Sequence, residues 1–118
     1  MTLSVNVYVR TPDGRVDILP VDHADELAGF ESCRHELWGH QTVRALGLRL
    51  LPTLVEGDIW AEGSAIDHLE SDTERLLAHV TVVANATGYS GDFISSRCRN
   101  ILGAIRRARK AGGGVVIS

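Results

Sequence analysis

The chain has 118 residues, 44 % of them hydrophobic and 23 % charged, with a net charge of −3. That profile excludes a disordered chain, and the length suffices for one domain that buries roughly two thirds of the surface its unfolded form exposes. No apolar run approaches the roughly 20 residues that span a bilayer, and the first residues carry neither a basic nor an apolar leader segment. The expectation is a cytoplasmic protein without membrane contact. Cys33 and Cys98 stand alone in the sequence and read as reduced thiols.

Leu3, Val5, Val7 and Val9 alternate with polar residues, the period-two pattern of a strand with one buried face. Thr11-Pro12-Asp13-Gly14 reads as a turn, and Val16 and Ile18 resume the alternation, so a β-hairpin is expected. Pro20 ends the second strand, and Val21 to Gly29 reads as a short helix or a loop. From Glu31 to Leu46 the composition is helical, with Leu37, Val43 and Leu46 inward, but Gly39 predicts two short pieces or a kink. Leu48 to Val55, interrupted by Pro52, reads as an edge strand that forms a second hairpin with Ile59 to Glu62 through Glu56-Gly57-Asp58.

Ser64 to Thr87 carries Ile66, Leu69, Thr73, Leu76, Val80, Val83 and Thr87 at alternating steps of three and four. This is one stripe along an α-helix of about 36 Å, capped by Ser64, with the β-branched run Val80 to Val83 as its weak point. Asp92 to Ala111 repeats the rhythm with Ile94, Cys98, Ile101, Ile105 and Ala108, so the two segments predict an antiparallel helical hairpin. Gly112-Gly113-Gly114 stops the second helix, and Val115 to Ile117 reads as a final strand. The predicted fold is α+β: a mostly antiparallel sheet of four or five short strands covered on one face by the helical hairpin.

Three groups of residues bear on function. His35, Glu36 and His40 approach the zinc-protease pattern H-E-x-x-H, but the spacing of five turns the second histidine about 140° from the first. With Cys33 they frame a small metal-dependent hydrolase as one reading, against surface histidines as the plainer one. His68, Asp72, Arg75 and His79 line a flank of the long helix, either as a His-Asp pair or as a solvated boundary. Arg99, Arg106 and Lys110 form a basic strip on the last helix, with Gly103 as a flat spot, able to meet nucleic acid. Arg97 falls between Ile94 and Ile101 on the apolar side and predicts an ion pair with an acid such as Asp22 or Asp25.

The charge is unevenly spread. Met1 to Asp92 holds 15 acidic and 6 basic residues, a balance of −9, whereas Phe93 to Ser118 holds 6 basic and no acidic ones. Glu31 and Glu36 flank Trp38, and Glu56, Asp58 and Glu62 flank Trp60, a pairing of negative charge with aromatic anchors that suits a protein partner with a basic surface. The sequence contains no cofactor motif and no visible nucleophile-base pair, which favours a binding protein over an enzyme. In size and acidic character the chain is similar to bacterial immunity proteins, small inhibitors that neutralise toxins by covering basic active sites. The resemblance implies a non-enzymatic inhibitor. A homodimer through surplus apolar residues of the hairpin, Leu77, Val82 and Ala84, is a further expectation.

Overall fold

The computed structural model describes residues 2–118. Five strands form one sheet: β1 (Thr2–Arg10), β2 (Val16–Leu19), β3 (Leu27–Phe30), β4 (Ile59–Ala61) and β5 (Gly114–Ile117). Every pairing is antiparallel, in the order β2-β1-β5-β4, with β3 continuing along the edge of β1 that also holds β2. The final apolar strand therefore lies at the centre of the sheet, between the first strand and β4. Its position explains why all four of its residues are buried.

The helices are α1 (Gln41–Arg44), α2 (Ser64–Ala78), α3 (Val80–Thr87) and α4 (Gly91–Ala111). Leu3, Val5 and Val7 of β1, with Val115 and Ile117 of β5, meet Ile94, Ile101 and Ile105 of α4 and Leu69, Leu76 and Val83 of the preceding helices in one core. The stripe predicted on the last helix is buried throughout, and that of the preceding segment is buried at Ile66, Leu69, Thr73, Leu76 and Val83 but only half-buried at Val80 and Thr87. α2 and α4 run antiparallel, so that Arg109 near the end of α4 reaches Asp67 and Glu70 near the start of α2.

Four local expectations are corrected. The long helix is two helices, broken at His79: its N–H goes to the Leu76 carbonyl at 3.0 Å, while its imidazole Nδ1 takes the Arg75 carbonyl at 2.9 Å. The side chain thus occupies the acceptor that an unbroken helix would give to the backbone. The cap before α2 is Gly63, not Ser64, which makes no capping hydrogen bond, whereas Ser90 does cap α4 by accepting from the Phe93 N–H at 3.0 Å.

The expected hairpin between Leu48–Val55 and Ile59–Glu62 does not form. Leu51–Val55 is a 3-10 turn that buries Leu51 and Leu54, with Pro52 in its first turn, and β4 pairs with β5 instead. β3 itself falls where a helix or loop was expected, after a 3-10 turn at His23–Glu26. Leu27-Ala28-Gly29-Phe30 has little strand propensity of its own, and the pairing comes from β1, across a register shift between Thr2 and Ser4. The break predicted near Gly39 is present, between a π-helical turn at Arg34–Trp38 and α1. A Cβ on Gly39 would lie 2.0 Å from the Val55 side chain, so close packing requires glycine here.

Candidate functional site

The helices cover one face of the sheet. On the other face the register places Tyr8 beside Ile18 and Gly114, Arg10 beside Val16, and Val116 between Asn6 and Trp60. These side chains share a face because alternate strand residues point the same way. Trp60 is 52 % exposed, Ile18 50 % and Val16 36 %, while Tyr8 beneath them is 1 % exposed. The Tyr8 ring lies over Gly114, where a Cβ would sit 2.5 Å from it, and meets Trp60 edge-on with centroids 5.1 Å apart. The Arg10 guanidinium lies 5.7 Å from the Tyr8 ring centroid and binds Glu62 at 3.1 Å. Burial, and next the nearby Glu62 charge, push the Tyr8 phenol above its ordinary pKa, and the hydrogen bond from Arg10 lowers that of Glu62. The result is an apolar patch centred on Trp60 and edged by a charged pair.

The acids around the two tryptophans are distributed differently from the sequence expectation. Trp38 is fully buried, with its indole N–H donating to the Ala28 carbonyl at 3.0 Å, so it offers no surface. Glu36 accepts from the Tyr89 hydroxyl at 3.0 Å. Glu31 and Asp58 are joined by Arg34, which pairs with both and donates to the carbonyls of Leu54 and Gly57 at 3.0 and 2.8 Å. Glu56 is exposed. At the Trp60 end, Glu31, Glu56, Asp58 and Glu62 face two arginines, Arg10 and Arg34, a local balance of −2.

On α4, Arg99, Arg106 and Lys110 are exposed and make no ion pair among the described residues, unlike Arg109, which holds Asp67 and Glu70 at 2.6 and 2.8 Å. Gly103 is buried, with the Arg106 and Arg107 guanidinium groups over it, so no flat spot is presented there. Arg97 finds no carboxylate. Its guanidinium stacks 4.4 Å from the Phe93 ring centroid and donates to Ser96 Oγ at 2.9 Å, a contact within its own helix that replaces the expected pair with Asp22 or Asp25.

The histidine groups are dispersed as well. Cys33 is buried, its thiol 3.5 Å from the Tyr89 hydroxyl. His35 is exposed, and His40 Nδ1 accepts from the Thr42 N–H at 3.1 Å as the cap of α1. Among the described residues no three His, Cys, Asp or Glu side chains form a metal-holding group. Asp72 does not pair with His68 or His79. Its carboxylate is buried and accepts the backbone N–H groups of Arg49, Leu50 and Leu51 at 2.9, 2.6 and 3.0 Å. That contact anchors the turn after Gly47 to α2, and beside it lies a cleft of about 310 Å³ lined by Gly47, Leu48, Arg49, His68, Ser71, Asp72 and Arg75. The sequence reading singled out the helix side of this cleft and missed Arg49, because a strand was expected there.

The fold and surface define a two-layer α+β domain with one sheet face left open. No family model, curated protein or solved structure matches the chain. No helix among the described residues is long and apolar enough to cross a membrane.

Proposed function

We propose that this chain acts by protein-protein contact, presenting the helix-free face of its sheet to a partner whose surface joins an apolar centre to basic residues. The observation that carries the reading is the exposure of Trp60, Ile18 and Val16 together on that face. Tryptophan is the side chain most enriched where contacts contribute most to binding, and a cluster of exposed apolar residues on one sheet face is the kind of surface that partners cover. The local charge of −2 beside Trp60 selects for positive charge on the partner and steers its approach. The specific form of the proposal is an inhibitor that caps the basic active site of a toxin or other enzyme, as immunity proteins do.

A second reading is nucleic-acid association through α4, favoured by the three unpaired cations Arg99, Arg106 and Lys110. The two separate in one comparison. Tagged wild type, Trp60→Ala, and an Arg99→Ala/Arg106→Ala/Lys110→Ala variant are used to capture partners from the source lysate at low salt. The proposal expects a protein bound in stoichiometric amount by the wild type and the triple variant, with affinity for Trp60→Ala reduced at least about ten-fold. Equal capture by Trp60→Ala, or recovery of nucleic acid alone that is lost with the triple variant, contradicts it. Circular dichroism of each variant checks that the fold is retained.

A further inference from the structure

The cleft between the Gly47–Leu51 turn and α2 shares no residue with the Trp60 face, and its walls have a different chemistry. We propose that it binds a phosphate-type oxyanion, as free phosphate or as a phosphomonoester, between the guanidinium groups of Arg49 and Arg75.

Both arginines are exposed, and each has one polar side-chain anchor that is not a carboxylate. Arg75 Nη1 donates to the Leu46 carbonyl at 3.1 Å, and Arg49 Nη1 lies 3.3 Å from His68 Nδ1. Neither forms an ion pair among the described residues, whereas Arg10 takes one carboxylate and Arg34 and Arg109 take two each. A guanidinium fixed by one arm keeps the rest of its planar fork for a ligand, and that fork matches the oxygens of a phosphate. His68 and Ser71 line the same cleft.

The one acid in the lining, Asp72, is committed elsewhere. Its two oxygens accept three backbone N–H groups, so peptide dipoles face its charge, and its effect is to fix the backbone of Arg49 against the helix that carries Arg75. The cleft volume of about 310 Å³ stands at the small end of the roughly 300–1,000 Å³ that small-molecule sites occupy. No phenylalanine, tyrosine or tryptophan lines it, and the two guanidinium groups favour an anionic group as the part recognised. A metal cation is a poor fit beside two guanidinium groups.

The test is a titration of the whole protein, ¹⁵N-labelled, with inorganic phosphate and separately with phosphoserine at fixed ionic strength. Amide shifts are followed for the wild type, Arg49→Ala, Arg75→Ala, the charge-preserving Arg49→Lys and Arg75→Lys, and Arg106→Ala on α4. Saturable shifts at Gly47, Leu48 and Ser71 are expected, weakened about ten-fold or more by either alanine variant, less by lysine, and unchanged by Arg106→Ala. Tighter binding of phosphoserine names an ester as the ligand, and tighter binding of phosphate names the free anion. Lack of saturation, equal affinity in all the variants, or shifts centred on α4 would overturn the proposal. If an alanine variant does not fold, its lysine counterpart carries the comparison, because the fork geometry is then lost while the charge remains.

Discussion

Asp72 receives three backbone N–H groups, and without it the Arg49–Leu51 backbone has three donors with no acceptor in a partly buried turn. Asp72→Ala is expected to lower unfolding free energy by about 3 kcal/mol, read from chemical denaturation, since hydrogen bonds to a charged group are the stronger kind and orphaned donors add a penalty. Two other residues contribute to the pH dependence. Hydrogen bonds from Arg109 hold the Glu70 carboxyl below its ordinary pKa. Its contribution is present above the unfolded carboxylate value and is lost as pH falls through the folded one, so Glu70→Gln should flatten the acid side of the stability profile.

Burial pushes the Cys98 thiol up to about 12. The folded state therefore favours the protonated form, and this contribution is present below the ordinary thiol pKa and lost as pH rises toward about 12. Cys98 in the native protein should resist alkylation at pH 8 while the unfolded chain reacts, which mass spectrometry of the modified chain reads directly. Of these residues the sequence shows only identities. Asp72 looked like one member of a helix flank, because the backbone groups it serves lie more than twenty positions away.

At the scale of elements, period and burial were legible where the pattern was local. The alternation of Leu3, Val5 and Val7 and the stripe of Ile94, Cys98, Ile101, Ile105 and Ala108 are buried as their spacing requires. Elements whose form depends on distant groups were not legible. β3 takes its shape from β1, and the 3-10 turn Leu51–Val55 follows a segment whose N–H groups, those of Arg49, Leu50 and Leu51, go to the distant Asp72. The break at His79 is a contest between two donors for one carbonyl, which no hydrophobic period records.

Tyr8 is buried although it lies on the face away from the helices. Its ring replaces the missing side chain of Gly114 in the adjacent central strand, and a Cβ there would meet the ring at 2.5 Å and the Ala61 carbonyl oxygen at 2.7 Å. Gly114→Ala should lower stability by about 3 kcal/mol and displace Tyr8 from beneath Trp60, visible as a changed tryptophan emission. A change confined to stability, with emission unaltered, would show that Tyr8 does not support the Trp60 side chain.

The whole molecule separates its charges and its surfaces. Six acids are engaged in ion pairs with Arg10, Arg15, Arg34 and Arg109, and this leaves the exposed cations of α4 on one side and the Trp60 face on another. The −9 balance of the first 92 residues therefore overstates the negative surface a partner meets. In the sequence Trp38 and Trp60 carry equal weight, because burial of the first and exposure of the second depend on which face of the fold each reaches.

The central claim, that the open sheet face is the contact surface, is tested most directly by placing a photo-crosslinker on it in the living source cell. Ile18→p-benzoylphenylalanine puts the probe beside Tyr8, and Arg106→p-benzoylphenylalanine puts it on the cationic side of α4. A crosslink to a different protein from position 18 and none from position 106 is expected. A crosslink from position 106 alone, or from position 18 to a second copy of this chain, would contradict it.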